Sequence, residues 1–190
     1  MSKKYITDQE FTNLDLSENG LELAEYENCT FLGCLFAGTS LKEIIFSECE
    51  FSECDLSNCK IDHTSLRQVQ FNDCKMLGLH FEQCNPFLFS VNFSRCTLNF
   101  SSFYQLNMKA TTFEGCSLQE VDFTETNLEG SHFYECELSD AVFDRTNLSA
   151  ADLRKAYRFN IDPSGNLLKG ARFSVNNLQG LLIGTGILID

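Results

Sequence analysis

The chain has 190 residues, 43% of them hydrophobic, which suits one domain with a real core. Its formal net charge is −13, from 27 acidic and 14 basic residues, and this argues against direct nucleic-acid binding. At the N-terminus Lys3 and Lys4 are followed by no long apolar run. Neither a signal peptide nor a membrane span is expected, and a cytoplasmic location follows. The sequons at Asn28, Asn92, Asn99 and Asn147 are then incidental.

From Phe11 a large apolar residue recurs at every fifth position: Leu16, Leu21, Tyr26, Phe31, Phe36 and onward to Phe81. The residue two before each is usually small. Gln9, Leu14, Asn19 and Ile44 depart from that rule, so the first coil is expected to be looser. The phase then breaks within 82–87, Glu82-Gln83-Cys84-Asn85-Pro86-Phe87. Two residues are inserted there, the next in-register residue is Leu88, and Asn-Pro is a turn signal.

A second block runs from Phe93 to Leu153 without a charged exception. Its small positions are Val91, Cys96, Ser101, Thr111, Cys116 and so on, with Leu106 the one bulky member. A period of five is neither helical nor strand-like. It describes an internal repeat whose units turn inward twice and bury a core only by stacking, as in a solenoid. After Leu153 the repeat is read as ending. Ile161-Asp162-Pro163-Ser164-Gly165-Asn166 is a turn cluster. Val175–Gly184 is read as a short helix in which Leu178, Leu181 and Leu182 share a face, ended by Gly184 or Gly186. Ile187 to Ile189 is read as extended.

All ten cysteines fall at inward small positions, Cys84 included if the first phase is carried on. Cys34, Cys54 and Cys74 recur every twenty residues, as do Cys96, Cys116 and Cys136, so a coil of four units would set them in two ladders. Parallel ladders do not converge on a tetrahedral zinc, and their side chains point the same way rather than at each other, so Cys is read as a small buried hydrophobe. His63, His80 and His132 are scattered and outward. No cofactor, metal or catalytic residue is expected.

The acids are ordered. On a coil of four units Glu120 would stack on Asp140, with Asp122, Glu125, Glu137 and Asp144 on the same or the adjoining side, and Glu53 would stack on Asp73. These eight are the candidate partner-binding residues. Solubility alone would also explain them. The last forty residues are mildly basic, with three acids and five bases. An apolar C-terminal segment, Leu178, Leu181, Leu182, Ile183, Ile187 and Ile189, is the candidate homodimer contact.

Units such as Val121-Asp122-Phe123-Thr124-Glu125 and Ala151-Asp152-Leu153-Arg154-Lys155 resemble the pentapeptide-repeat family, whose pattern is A(D/N)LXX. The resemblance implies an all-β solenoid: a right-handed quadrilateral β-helix of pentapeptide repeats with a short C-terminal helical cap. Residues twenty apart then stack at strand spacing, giving a rod on the order of 35 Å. In the second block Phe would occupy two opposite sides and Leu or Met the other two. The expected organisation is a cap at 1–10, a solenoid at 11–153 and a C-terminal cap at 154–190. An Asn-Ile-Asp-Pro turn and a tail ending Gly-Ile-Leu-Ile-Asp are similar to the gyrase-directed branch, with its quinolone-resistance proteins and microcin B17 immunity protein. That likeness implies a non-enzymatic DNA mimic directed at gyrase or topoisomerase IV. The alternative is an interaction scaffold with an unrelated partner, where outward Phe100, Tyr104 and Tyr134 are candidate contacts.

Overall fold

The structure, a computed structural model, describes residues 4–183 and residue 187. It is a parallel-strand β-solenoid of about seven turns. One sheet has the order β1 (Lys4–Thr7), β3 (Ala24–Glu27), β5 (Ile45–Ser47), β7 (Ser65–Arg67). The other runs β2 (Glu10–Thr12), β4 (Thr30–Leu32), β6 (Glu50–Ser52), β8 (Val69–Asn72), β9 (Val91–Ser94), β10 (Thr112–Glu114), β11 (His132–Tyr134). Every pairing is parallel, and single bridges such as Asn107↔Asn127↔Asn147 carry the remaining sides.

The five-residue period arises from two inward positions and a sharp corner. The central residue and the one two before it are buried, as Phe113 with Thr111 and Phe123 with Val121. The residue two after the centre turns the chain with positive φ, as in Glu120 (53°) and Asp140 (56°). A left-handed residue with a side chain costs about 1 kcal/mol. Each is offset by a ladder bond, such as Glu120 N–H to Ser139 O at 2.9 Å.

The core is stacked rings. Phe31, Phe51, Phe71, Phe93, Phe113 and Phe133 form one column, with centroids 4.6–5.4 Å apart. Phe81, Phe103, Phe123 and Phe143 form the opposite one. The two columns meet edge to face, as Phe93 and Phe103 do at 6.0 Å and 68°. Leu98, Met108, Leu118 and Leu128 fill the remaining sides and are buried.

Several expectations change. Among the described residues the ladder is already present at Lys4, ahead of Phe11, since Ile6 pairs in register with Tyr26. The first coil is indeed the more open one, with Phe11, Leu16 and Leu21 only half-buried, but Ile44 is buried within the core. The register is still twenty at Asn85, whose N–H donates to Thr64 O, and twenty-two at Val91, which pairs with Val69. The two extra residues therefore lie within 86–90. Leu88 is not the inward residue: its φ of 59° turns it outward, 61% exposed, and Phe89 packs on the core instead. The two cysteine ladders are one. Across the break Cys74 meets Cys96, giving a column Cys34, Cys54, Cys74, Cys96, Cys116, Cys136.

The ladder also continues beyond Leu153, through Glu137↔Tyr157, Asn147↔Leu167 and Asp152↔Arg172. Asn166 takes the place of the buried threonines, its amide donating to Phe143 O at 3.0 Å as Thr146 donates to Phe123 O at 2.7 Å. The C-terminal helix is a 3-10 helix, Val175–Leu181. Asn177 and Leu181, not Leu178, face the solenoid: Asn177 Nδ2 donates to Leu153 O and Ala156 O, and Leu181 packs on the core.

Candidate functional site

The outward positions are where this fold presents chemistry, because the interior is filled. Of the eight candidate acids, Glu53, Asp73, Glu120, Glu125 and Asp140 sit at left-handed corners. Asp122 lies on a ladder bridge between Ser102 and Val142, and Glu137 on one between Ser117 and Tyr157. Asp144 follows the central residue Phe143.

Their charges are not equally available. Arg145 pairs with both Glu125 and Asp144 at 2.8 Å. Arg158 pairs with Glu137 at 2.7 Å, and Arg95 grips Asp73 with two bonds of 2.7 and 2.6 Å. Hydrogen bonds from Gln105 and Arg145 hold the Glu125 carboxyl below its usual range, and Gln119 and Arg158 do the same for Glu137. Among the described residues Glu53, Glu120, Asp122 and Asp140 carry no ion pair.

A second acidic surface lies on the first coils, where Asp8, Glu10, Glu27, Glu48 and Glu50 carry no ion pair among the described residues. Glu10, Thr30 and Glu50 share one rung column. Asp8 and Asn28 stack beside it, with Asn28 Nδ2 on Asp8 Oδ1 at 2.7 Å. The signal was available in the sequence: Glu10 and Glu50, like Asp8 and Glu48, are two coils apart. Among the described residues the cations paired with acids of this region are Lys4 with Glu22, Lys42 with Glu43, and Arg67 with Glu25. The least compensated charge is thus N-terminal.

The other candidate chemistry does not assemble. His80 hydrogen-bonds Glu82 at 2.9 Å, while His63 and His132 sit on different sides of the rod. The ten thiols are buried, and most donate to the carbonyl of the coil before, as Cys54 to Phe31 O at 3.3 Å. Burial pushes Cys49 and Cys59 up to about 11, away from the thiolate that attacks or ligates. Among the described residues no group of three His, Cys, Asp or Glu could hold a metal ion, and no helix is long and apolar enough to cross a membrane. A shallow groove of about 490 Å³ includes Glu114, His132, Tyr134, Arg154 and Lys155, but its cations are already engaged. Arg154 holds Asp152 at 2.6 Å, and Lys155 lies 3.9 Å over the Tyr134 ring.

At the C-terminus Leu178, Ile183 and Ile187 are exposed, Leu182 is half-buried and Leu181 faces the core. Ile189, with Gly184 and Gly186, lies outside the described residues.

A family model, the pentapeptide repeat region, matches residues 24–86 and 79–153. No curated protein sequence matches the chain. Among solved structures, a trypsin-treated form of QnrB1, a plasmid-mediated fluoroquinolone resistance protein, aligns with TM-score 0.74 and 18% identity, over 100% of this chain and 95% of that one. Full-length QnrB1 aligns with TM-score 0.59 and 19% identity, over 96% of this chain and 100% of that one. At such identity the likeness is one of fold. With the model covering more than half of its length, the chain belongs to the pentapeptide-repeat family.

Proposed function

We propose that the protein is a non-enzymatic, cytoplasmic DNA mimic that binds a type II topoisomerase, gyrase or topoisomerase IV, through its acidic faces. The observation that carries this reading is a rod of stacked coils whose carboxylates recur at coil spacing, several of them with no ion pair among the described residues. The fold shared with a fluoroquinolone resistance protein supports the choice of partner. The working residues are the unpaired ones: Glu120, Asp122 and Asp140 on the second block, and Glu48, Glu50 and Glu53 on the first. Glu125, Glu137, Asp144 and Asp73 contribute less field because arginines already neutralise them. Exposed Leu178, Ile183 and Ile187 support pairing of two copies through the C-terminal end.

The test is DNA supercoiling by purified gyrase, titrated with this protein with and without a fluoroquinolone. Inhibition, or rescue from drug-induced cleavage, is expected. It should weaken in Glu120→Gln/Asp122→Asn/Asp140→Asn and in Glu48→Gln/Glu50→Gln/Glu53→Gln, with circular dichroism unchanged. Equal activity of both triple variants refutes mimicry. A second reading, a scaffold for an unrelated partner, is favoured by exposed Phe100 (56%) and Tyr134 (42%). It predicts no effect on supercoiling and binding that falls on Phe100→Ser or Tyr134→Ser.

A further inference from the structure

The two ends of the rod are finished differently. At the C-terminal end the 3-10 helix lies over the last coil. Asn177 donates to Leu153 O and Ala156 O, and Ile161 N–H donates to Gly180 O at 2.9 Å. At the other end β1 and β2 are the outermost strands of their sheets.

The edge of β2 is open in a specific way. In later coils the N–H equivalent to that of Glu10 donates to the preceding coil: Thr30 N to Gln9 O at 2.9 Å, Glu50 N to Cys29 O at 3.0 Å, Gln70 N to Cys49 O at 3.0 Å. The carbonyl equivalent to that of Thr12 accepts from the preceding coil: Leu32 O from Asn13 N at 2.8 Å, Ser52 O from Gly33 N at 2.9 Å. Glu10 N–H and Thr12 O point to a side where the described residues place no coil. The neighbouring corner is different. There the Gln9 side chain donates to the carbonyls of Thr7 at 3.2 Å and Asp8 at 3.4 Å, so the β1 carbonyl equivalent to Thr12 O is already taken and β1 lacks the open donor-and-acceptor pair of β2. Between the open groups, Phe11 stacks on Phe31 with one face, at 4.8 Å and 7°, and is only half-buried on the other. Uncovered edges with a free donor, a free acceptor and an apolar step between them accept added strands.

Charge selects the occupant. Asp8 and Glu10 flank this edge with no ion pair among the described residues, and Lys4 is held by Glu22. Two copies meeting end to end would bring two acidic rims together. Among the described residues the basic end of a copy finishes in the 3-10 helix, which lies against Leu153, Ala156 and Ile161, rather than in a strand. We infer that the β2 edge receives an extended segment of a partner protein as an added strand, with an apolar residue over Phe11 and lysine or arginine on either side facing Asp8 and Glu10. This edge adjoins the acidic surface of the first coils, uses none of the six working residues named above, and does not depend on that assignment.

The experiment uses the full chain and a fluorescein-labelled peptide, Lys-Val-Lys-Phe-Lys-Val-Lys. Comparisons are the same peptide with its backbone amides N-methylated, and Glu-Val-Glu-Phe-Glu-Val-Glu. Anisotropy measures affinity, and amide hydrogen exchange locates the contact. The basic peptide should bind and slow exchange at Glu10–Asn13. N-methylation removes the peptide N–H that Thr12 O would accept and sets a methyl group against the edge, so the methylated peptide should be about tenfold weaker. Asp8→Asn/Glu10→Gln should weaken binding about threefold or more, the acidic peptide should not bind, and Phe11 should keep its packing. The inference is overturned if the methylated peptide binds as tightly, since charge alone would then explain the contact. It is overturned equally if protection appears at Glu48–Glu53 instead, if no binding is seen at about 1 mM, or if Glu10 is protected by self-association without peptide.

Discussion

Phe113→Ala tests whether the ring columns hold the rod together. Phe113 is fully buried. It stacks on Phe93 at 5.2 Å and Phe133 at 5.0 Å, and meets Phe103 and Phe123 edge to face at 6.1 and 6.0 Å. Truncating a buried Phe costs about 3–5 kcal/mol, less where the walls can close over the cavity. Here each wall is a ring fixed by its own backbone ladder, so closure is restricted. Each aromatic pair contributes about 0.5–1.5 kcal/mol beyond area. The expected cost is therefore in the upper half of that range, about 4–5 kcal/mol. Phe11→Ala is the control. That ring is half-buried and among the described residues its ring contacts are Phe31 and Tyr26, so about 1–2 kcal/mol is expected from lost apolar area. Urea unfolding followed by far-ultraviolet circular dichroism gives both values. Coils touch only their neighbours, so Phe113→Ala should also separate the transition into two steps. A cost for Phe113→Ala below about 2 kcal/mol, or one equal to that of Phe11→Ala, would refute the reasoning.

Arg154 holds the Asp152 carboxyl at about 2, below its usual range. A depressed carboxylate stabilises above its unfolded value near 4 and loses that contribution as pH falls toward about 2. Asp152→Asn should cost about 1 kcal/mol at neutral pH, allowing for solvent around the half-exposed Arg154, and match the parent by about pH 2 in urea titrations. The buried thiols should resist a disulfide reagent in the native protein and react together in urea; fast native reaction of Cys49 or Cys59 would contradict their packing. Gly180→Ala would place a methyl 2.5 Å from Phe159 O and from its ring. It should displace the 3-10 helix at a cost of about 1–3 kcal/mol, read as faster exchange of the Ile161 amide.

The inward half of each unit was legible because burial at a fixed spacing leaves an unbroken pattern, as from Phe93 to Leu153. The pattern misled where an inward task passed to another residue type. Asn166 does a threonine's work, so the coils beyond Leu153 did not read as repeats. Phe89 replaces Leu88 because the backbone at Leu88 is left-handed, which no periodicity reveals. The six-thiol column was split in two by the same two-residue insertion. Outward residues were legible in position but not in charge state. Arg145 with Glu125 and Arg95 with Asp73 are one coil apart and could have been paired from the register alone. That Arg145 also takes Asp144 depended on the reach of one side chain.

Charge density bears on the choice between the two functional readings. A net −13 spread over about 35 Å of rod is one charge per about 2.7 Å, against about 1.7 Å for duplex DNA. The rod is therefore a polyelectrolyte of the same order as the duplex, though weaker. A basic channel shaped for DNA would hold it with the same salt-dependent term. Compensation is uneven, so that term should be concentrated on Glu48, Glu50, Glu53, Glu120, Asp122 and Asp140 rather than on the arginine-paired carboxylates. On the mimic reading, affinity falls steeply with salt, and removing these unpaired carboxylates flattens the slope more than removing Glu125 or Glu137. A scaffold that docks through Phe100 and Tyr134 has no such slope to lose. The dependence of affinity on salt, compared between those two sets of neutral variants, separates the readings whatever the geometry of the contact.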